Sequence, residues 1–253
     1  MERGTVSFPA AVILGLLIGA GAALGGYFVG RGFYQGRRAE RYVSVKGLAE
    51  RDVKADLAVW TLSFSATGAD VSAVSAACEH ERDLVRAFIA KSGFTGREIG
   101  PLPTRVDDRF ANLTGPPNVE AAQRYVITAG FEIRTPKVDA VRQASQMTGE
   151  LIRQGVVLDG RPIENGAANP AYLFTRLGDM RPAMLAQATK SARAVAQQFA
   201  ADSNSHLGAI RRASQGVFQV MSRDRQTTGP ADERAAVEKK VRLVSTIDYY
   251  LVK

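Results

Sequence analysis

Hydrophobic and polar positions change their spacing several times along this chain, and each change marks an expected element. Between Lys54 and Thr67, Ala58, Trp60, Leu62, Phe64 and Ala66 alternate with Val59, Thr61, Ser63 and Ser65. A period of two predicts a half-buried strand with Trp60 in the core. Arg41–Ala49 reads as the strand before it. After Asp70 the spacing becomes helical, with Val71, Val74, Cys78, Val85, Phe88 and Ile89 on one stripe. Asp70 suits the N-cap of a helix over Val71–Ser92, and Gly93 suits its end.

Extended stretches are expected next near Glu98–Arg109 and Gln123–Arg134. In the second, Ile127, Ala129, Phe131 and Ile133 face one way. Asn112–Asn118 between them is turn-rich and expected to be an exposed loop. Pro136 suits the first turn of a second helix, marked by Val138, Val141, Ser145, Thr148 and Ile152, with Met147 and Leu151 beside that line. Short strands are predicted at Val156–Pro162 and Ala171–Arg176. A long helix capped by Asp179 then runs to about Asp202, with Met180, Met184, Ala188, Val195 and Phe199 as its apolar stripe. Strands at Ala209–Met221 and Lys240–Val252 close the chain, joined by a polar loop from Arg223 to Lys239. Consecutive strands without helical crossovers predict an α+β fold: mainly antiparallel sheet with helices packed on one face.

A different pattern precedes all of this. The 27 residues between Arg3 and Arg31 carry no charged side chain. A membrane span needs about 20 apolar residues, so residues 1–40 are expected to form one N-terminal transmembrane helix and its basic linker, ahead of a domain over residues 41–253. The rival reading is a cleaved signal peptide with a small-residue site at Ala20-Gly21-Ala22. An n-region of Arg3 against Glu2, and an apolar run that continues to Val29, favour the uncleaved anchor. Gly15 and Gly19, Gly21 and Gly25, and Gly26 and Gly30 are paired four apart and so share a face. Small residues at that spacing let helices approach closely in lipid.

The net charge of +8 leaves nucleic acid or an anionic membrane surface as candidate partners. The basic residues cluster once, as Arg31, Arg37, Arg38 and Arg41 with Lys46 nearby. That position fits a juxtamembrane anchor. No aromatic-interleaved basic motif points to nucleic acid. The positive-inside bias would leave this flank in the cytoplasm, although long domains can be translocated against it.

Chemistry is sparse. The single cysteine, Cys78, excludes an intrachain disulfide and falls on an apolar stripe, where it reads as a small buried hydrophobe. The two histidines, His80 and His206, stand in no nucleophile context. No metal spacing, P-loop or dinucleotide fingerprint occurs. Asp107-Asp108 would point to opposite sides of a strand and reads as solvated surface. The expectation is a protein without catalytic residues, cofactor, metal or small-molecule substrate.

The soluble part resembles the SIMPL domain family. Tyr42-Val-Ser-Val-Lys-Gly-Leu-Ala49 and Val53-Lys-Ala-Asp-Leu-Ala-Val59 resemble its first two strands, and Tyr125–Ile133 resembles its middle. The most specific likeness is Asn169-Pro-Ala-Tyr-Leu-Phe-Thr175, followed by Ala186–Ala196, Leu207–Ile210 and Ala213–Phe218. The resemblance implies an exported or envelope-associated protein, often linked to stress defence, with some members forming ring-like or channel-like oligomers. It implies no catalytic residue. It also favours a periplasmic domain over a cytoplasmic one. Two function classes follow: a membrane-anchored, self-assembling homo-oligomeric scaffold, or a monomeric module that binds a ligand or protein.

Overall fold

The computed structural model describes residues 8–38, 41–111, 120–158, 169–224 and 230–252, with side chains at all of these except 8–11, 14, 32–38 and 230–232. The chain divides into two compact units: Met1–Leu48 with Gln187–Gly216 and Val244–Lys253, and Ala49–Ala186 with Val217–Leu243. The expected loop at Asn112–Asn118 and the later part of the strand expected at Val156–Pro162 lie outside the described residues.

The chain begins with helix α1 (Phe8–Arg38). Among the described residues no helix is long and apolar enough to cross a membrane.

The larger unit is built on β2 (Leu57–Gly68) and β5 (Tyr125–Thr135), which pair antiparallel along their whole lengths. Trp60 stands opposite Ile133, Leu62 opposite Phe131, Phe64 opposite Ala129 and Ala66 opposite Ile127. All eight are buried, as the alternation predicts. The sheet is extended by β3 (Ile99–Pro101) and β4 (Arg105–Asp108) on β5, and by β6 (Ala171–Leu173) on β2. The single strand expected over Glu98–Arg109 is therefore two. Pro103 has no N–H to give to a ladder, and the chain leaves the sheet around it.

Helix α2 (Val71–Lys91) covers the apolar face of this sheet. Asp70 Oδ1 caps it by accepting the Ala73 N–H at 2.9 Å, and Gly93 takes the left-handed conformation at φ +86° beyond its end. Val74, Cys78, Val85, Phe88 and Ile89 are buried, and Phe88 meets the Trp60 ring edge-on at 6.5 Å. Val71, expected on this stripe, is exposed.

The second helix expected after Pro136 is broken into α3 (Val138–Gln146) and α4 (Gly149–Arg153). Ser145 and Thr148 hydroxyls donate to the Arg142 and Ser145 carbonyls, local bonds that compete with the helical ladder. The break turns the stripe: Val138, Val141, Ala144 and Leu151 are buried, while Met147 and Ile152 are exposed.

A second sheet is formed by β1 (Tyr42–Lys54), β9 (Glu238–Val252) and β7 (His206–Gln215), in the order β1-β9-β7, with β8 (Gln219–Ser222) also on β9; the smaller unit holds β7, the first part of β1 and the last part of β9. The strand expected over Ala209–Met221 is split between β7 and β8. Gly216 lies there with its Cα against β9, where a Cβ would stand 2.4 Å from the Val244 oxygen. The polar loop expected over Arg223–Lys239 contains a short helix, α6 (Pro230–Ala235).

Helix α5 (Leu177–Asp202) begins two residues before Asp179, which lies in its first turn instead of capping it. In the smaller unit its Ala192 and Ala196 pack on Val45, Ile247 and Tyr249. Ala188, Ala192, Ala196 and Ala200 are buried, whereas Val195 and Phe199, expected on the stripe, are exposed. The reason is steric. A Cβ at Gly47 of β1 would lie 1.9 Å from the Ala188 carbonyl oxygen and 2.8 Å from the Ala192 Cβ. Helix and strand backbones come this close only where the facing residues are small.

Candidate functional site

The residues singled out for membrane contact lie on α1. Leu16, Leu17, Ile18, Leu24, Phe28 and Val29 are exposed along it. Gly15, Gly19, Gly21, Gly25, Gly26 and Gly30 have nothing within 4 Å of where a Cβ would stand. Their smallness therefore serves no packing within the described chain. Arg31 Nη1 donates to the Tyr27 hydroxyl at 2.5 Å, and its guanidinium lies 5.7 Å from that ring's centre. The Arg37 and Arg38 side chains lie outside the described residues. Arg41 is exposed, and its carbonyl accepts the Leu251 N–H at 2.8 Å, which seats the start of β1 on β9.

The few chemically active side chains are dispersed. Cys78 is buried in the core of the larger unit, and burial pushes its thiol up. His80 is exposed on α2, and His206 is exposed at the start of β7. His206 lines an open groove with Gln197, Ala200, Ala201, Asn204, Ser205 and Leu207. Asp107 is exposed, but Asp108 is not the solvated carboxylate expected. Arg124 holds it with Nε at 3.0 Å and Nη2 at 2.9 Å, while that guanidinium covers the Tyr125 ring at 4.7 Å. The pair staples β4 to β5, and the Arg124 bond lowers the Asp108 pKa. Among the described residues no group of three His, Cys, Asp or Glu side chains is placed to hold a metal ion.

Three well-connected charged groups escaped the sequence reading. Asp56, in the turn between β1 and β2, accepts from the Thr175 N–H at 2.8 Å and hydroxyl at 3.0 Å, and from the Arg176 N–H and Nε at 3.2 Å each. Burial pushes its carboxyl up, but these bonds outweigh it and the pKa falls. Glu98 accepts from the Thr135 hydroxyl at 2.5 Å, the Thr95 N–H at 2.9 Å and Lys137 Nζ at 3.1 Å. Led by the Thr135 bond, these lower its pKa to about 2. Lys239 is buried on β9 and donates to the Glu233 and Arg234 carbonyls in the last turn of α6. Burial lowers its pKa. Asp56 and Glu98 join segments distant in sequence, and Lys239 closes a helix end. A signal existed only for Asp56: an acidic residue in a tight turn before a strand often bonds backbone N–H groups.

The family model described as SIMPL, protein of unknown function (DUF541), matches residues 43–247. The chain belongs to the SIMPL family. The SIMPL match runs from β1 into β9 and takes in both units. The segments that carry the resemblance have structural work in this fold. Within Asn169–Thr175, Tyr172 is buried opposite Ala58 of β2, and Thr175 is clamped by Asp56. Within Ala186–Ala196, Ala188, Ala192 and Ala196 are the buried small residues of α5. A SIMPL signature made of packing and clamping residues identifies a fold and names no reaction. No curated protein matches the chain.

Proposed function

We propose that this SIMPL protein is a non-enzymatic envelope protein, held at a membrane by α1 with its domain on the periplasmic side, that self-assembles into a homo-oligomeric scaffold. The observation that carries the reading is the N-terminal run of 27 residues without a charge, whose described apolar side chains are exposed and whose paired glycines contact nothing. Apolar surface of that extent is sequestered by lipid or by other helices. Open sheets support assembly: β1 and the β7–β8 line edge one, β3–β4 and β6 the other. An edge strand offers unpaired N–H and C=O groups that a second copy can satisfy. The stress-defence role implied by the resemblance belongs to this reading and is tested by survival of a deletion strain under stress.

The deciding experiment fractionates membranes from the native host and then sizes the detergent-extracted full chain by light scattering. The expected result is retention through carbonate washing and one discrete species several times the chain mass. Release by carbonate overturns the anchor. A strictly single-copy particle overturns the scaffold and favours the monomeric binding module, for which the groove beside His206 is the place to look.

A further inference from the structure

The sheet order β1-β9-β7 leaves β1 with β9 on one side and, among the described residues, no strand on the other. Which backbone groups face that open side follows from one bond. In an antiparallel pair each residue turns its N–H and C=O the same way, and successive residues alternate. The Arg41 carbonyl accepts the Leu251 N–H of β9. Val43, Val45 and Gly47 therefore also turn toward β9, while Tyr42, Ser44, Lys46 and Leu48 turn their N–H and C=O groups outward. The register holds along the strand. Glu50, nine residues after Arg41, meets Arg242, nine residues before Leu251, at 3.5 Å. The side chains of Tyr42, Ser44, Lys46 and Leu48 leave the sheet on the side opposite Val45, which packs on α5, and all four are exposed.

The other sheet edges carry features that discourage pairing with a further strand. β6 has three residues, and β4 and β8 have four each. β3 ends at Pro101, which has no N–H to offer. β7 is interrupted by two register shifts against β9, one between Leu207 and Ile210 and one between Ile210 and Arg212. β1 runs 13 residues without a proline, and its stretch Tyr42–Leu48 carries a single charged side chain, Lys46.

That lysine selects a register for pairing β1 with a second β1 about a twofold axis. With the axis at Lys46 the two lysines stand opposite each other, and like charges so placed are destabilising. With the axis at Ser44, Leu48 falls opposite a residue that precedes the strand. With the axis at Val45, Lys46 faces Ser44 of the second copy, Tyr42 faces its Leu48, and all the outward N–H and C=O groups from Tyr42 to Leu48 find partners.

We infer that two copies of this chain join through β1, antiparallel and centred on Val45, so that one sheet continues across the pair. The inference rests on the scaffold reading above and names the surface through which its copies meet. The contact is isologous, as in most twofold assemblies. Copies anchored in one membrane meet at high effective concentration, so a short edge suffices to join them.

The test reconstitutes the full chain in liposomes and joins cysteines by mild oxidation, with Cys78 buried in the core. Chains carrying Ser44→Cys are mixed with chains carrying Lys46→Cys. Opposed positions bring Cα atoms to about 5.5 Å, within disulfide reach, whereas Ser44 to Ser44 or Lys46 to Lys46 spans roughly 8 Å, outside it. The expected result is a mixed disulfide dimer in at least fivefold excess over either self-linked dimer. Ser44→Lys sets lysines opposite each other on both sides of the axis and should weaken pairing about fivefold by light scattering in detergent. Adding Lys46→Glu to that variant should restore pairing, which a misfolded chain could not do. Pairing indifferent to Ser44→Lys overturns the inference. A multi-copy particle without the Ser44 to Lys46 link overturns it and leaves the scaffold reading standing. Linking of Ser44→Cys to Ser214→Cys on β7 of a second copy overturns it in favour of head-to-tail edges. Single-copy particles overturn both.

Discussion

Gly47 of β1 lies directly beneath the backbone of Ala188 on α5, so close that a Cβ there would stand 1.9 Å from the Ala188 carbonyl oxygen. The obstacle is backbone, which cannot rotate aside as a flexible side chain would. Gly47→Ala is therefore expected to destabilise the protein by more than about 2 kcal/mol, in the range of overpacked core substitutions. Gly178→Ala, where the added Cβ meets open space, should stay within about 0.5 kcal/mol of the parent. Urea unfolding of both variants checks the contrast.

Glu98 couples stability to acid. The Thr135 hydroxyl, the Thr95 N–H and Lys137 favour its ionised form and lower its pKa from 4.5 to about 2. A carboxyl depressed in the fold binds fewer protons there than in the unfolded chain. Its contribution is fully present above pH 4.5 and is lost as pH falls toward 2. Glu98→Gln should lower stability at pH 7 by about 1–3 kcal/mol and flatten the acid limb of the stability curve over that interval. Thermal melts of both proteins from pH 2 to pH 7 measure this.

Asp56 holds the end of the family's most specific segment. Asp56→Ala would leave the Thr175 N–H and hydroxyl and the Arg176 N–H without their acceptor. The expected cost is about 2 kcal/mol, with amide exchange accelerated around Leu173 and Thr175. Asp56→Asn keeps one oxygen and should lose less. Hydrogen-exchange mass spectrometry resolves the two cases.

The paired glycines of α1 test the scaffold reading. Replacing Gly15 and Gly19, or Gly21 and Gly25, with Leu removes no contact within the chain, because nothing lies near these positions. Any effect must arise between molecules. The expected loss is about 1–2 kcal/mol of association in lipid, read as a shift toward smaller species by fluorescence transfer in liposomes. Thermal stability of the domain should not change.

Much of the secondary structure was readable because alternation is a local signal. β2, β5 and the later part of β9 appear where a period of two predicts them, and Asp70 caps α2 through a bond spanning three residues. Near Ser145 and Thr148 the local signal was present but misread, since their hydroxyls bond back to carbonyls three residues earlier and end the helix. The buried line of α5 could not be read this way. Its sequence offers both an alanine line and Val195 with Phe199, and hydrophobicity alone prefers the larger residues. The close approach of Gly47, some 140 residues away, selects the alanines. The same limit hid Asp56, whose partners lie 119 and 120 residues on, and Lys239, whose acceptors exist only because α6 forms in a stretch that reads as loop. Periodicity reports which side of an element is apolar. Only the folded chain decides which apolar side meets a neighbour and which charges find partners, because those choices depend on backbone distances between segments remote in sequence.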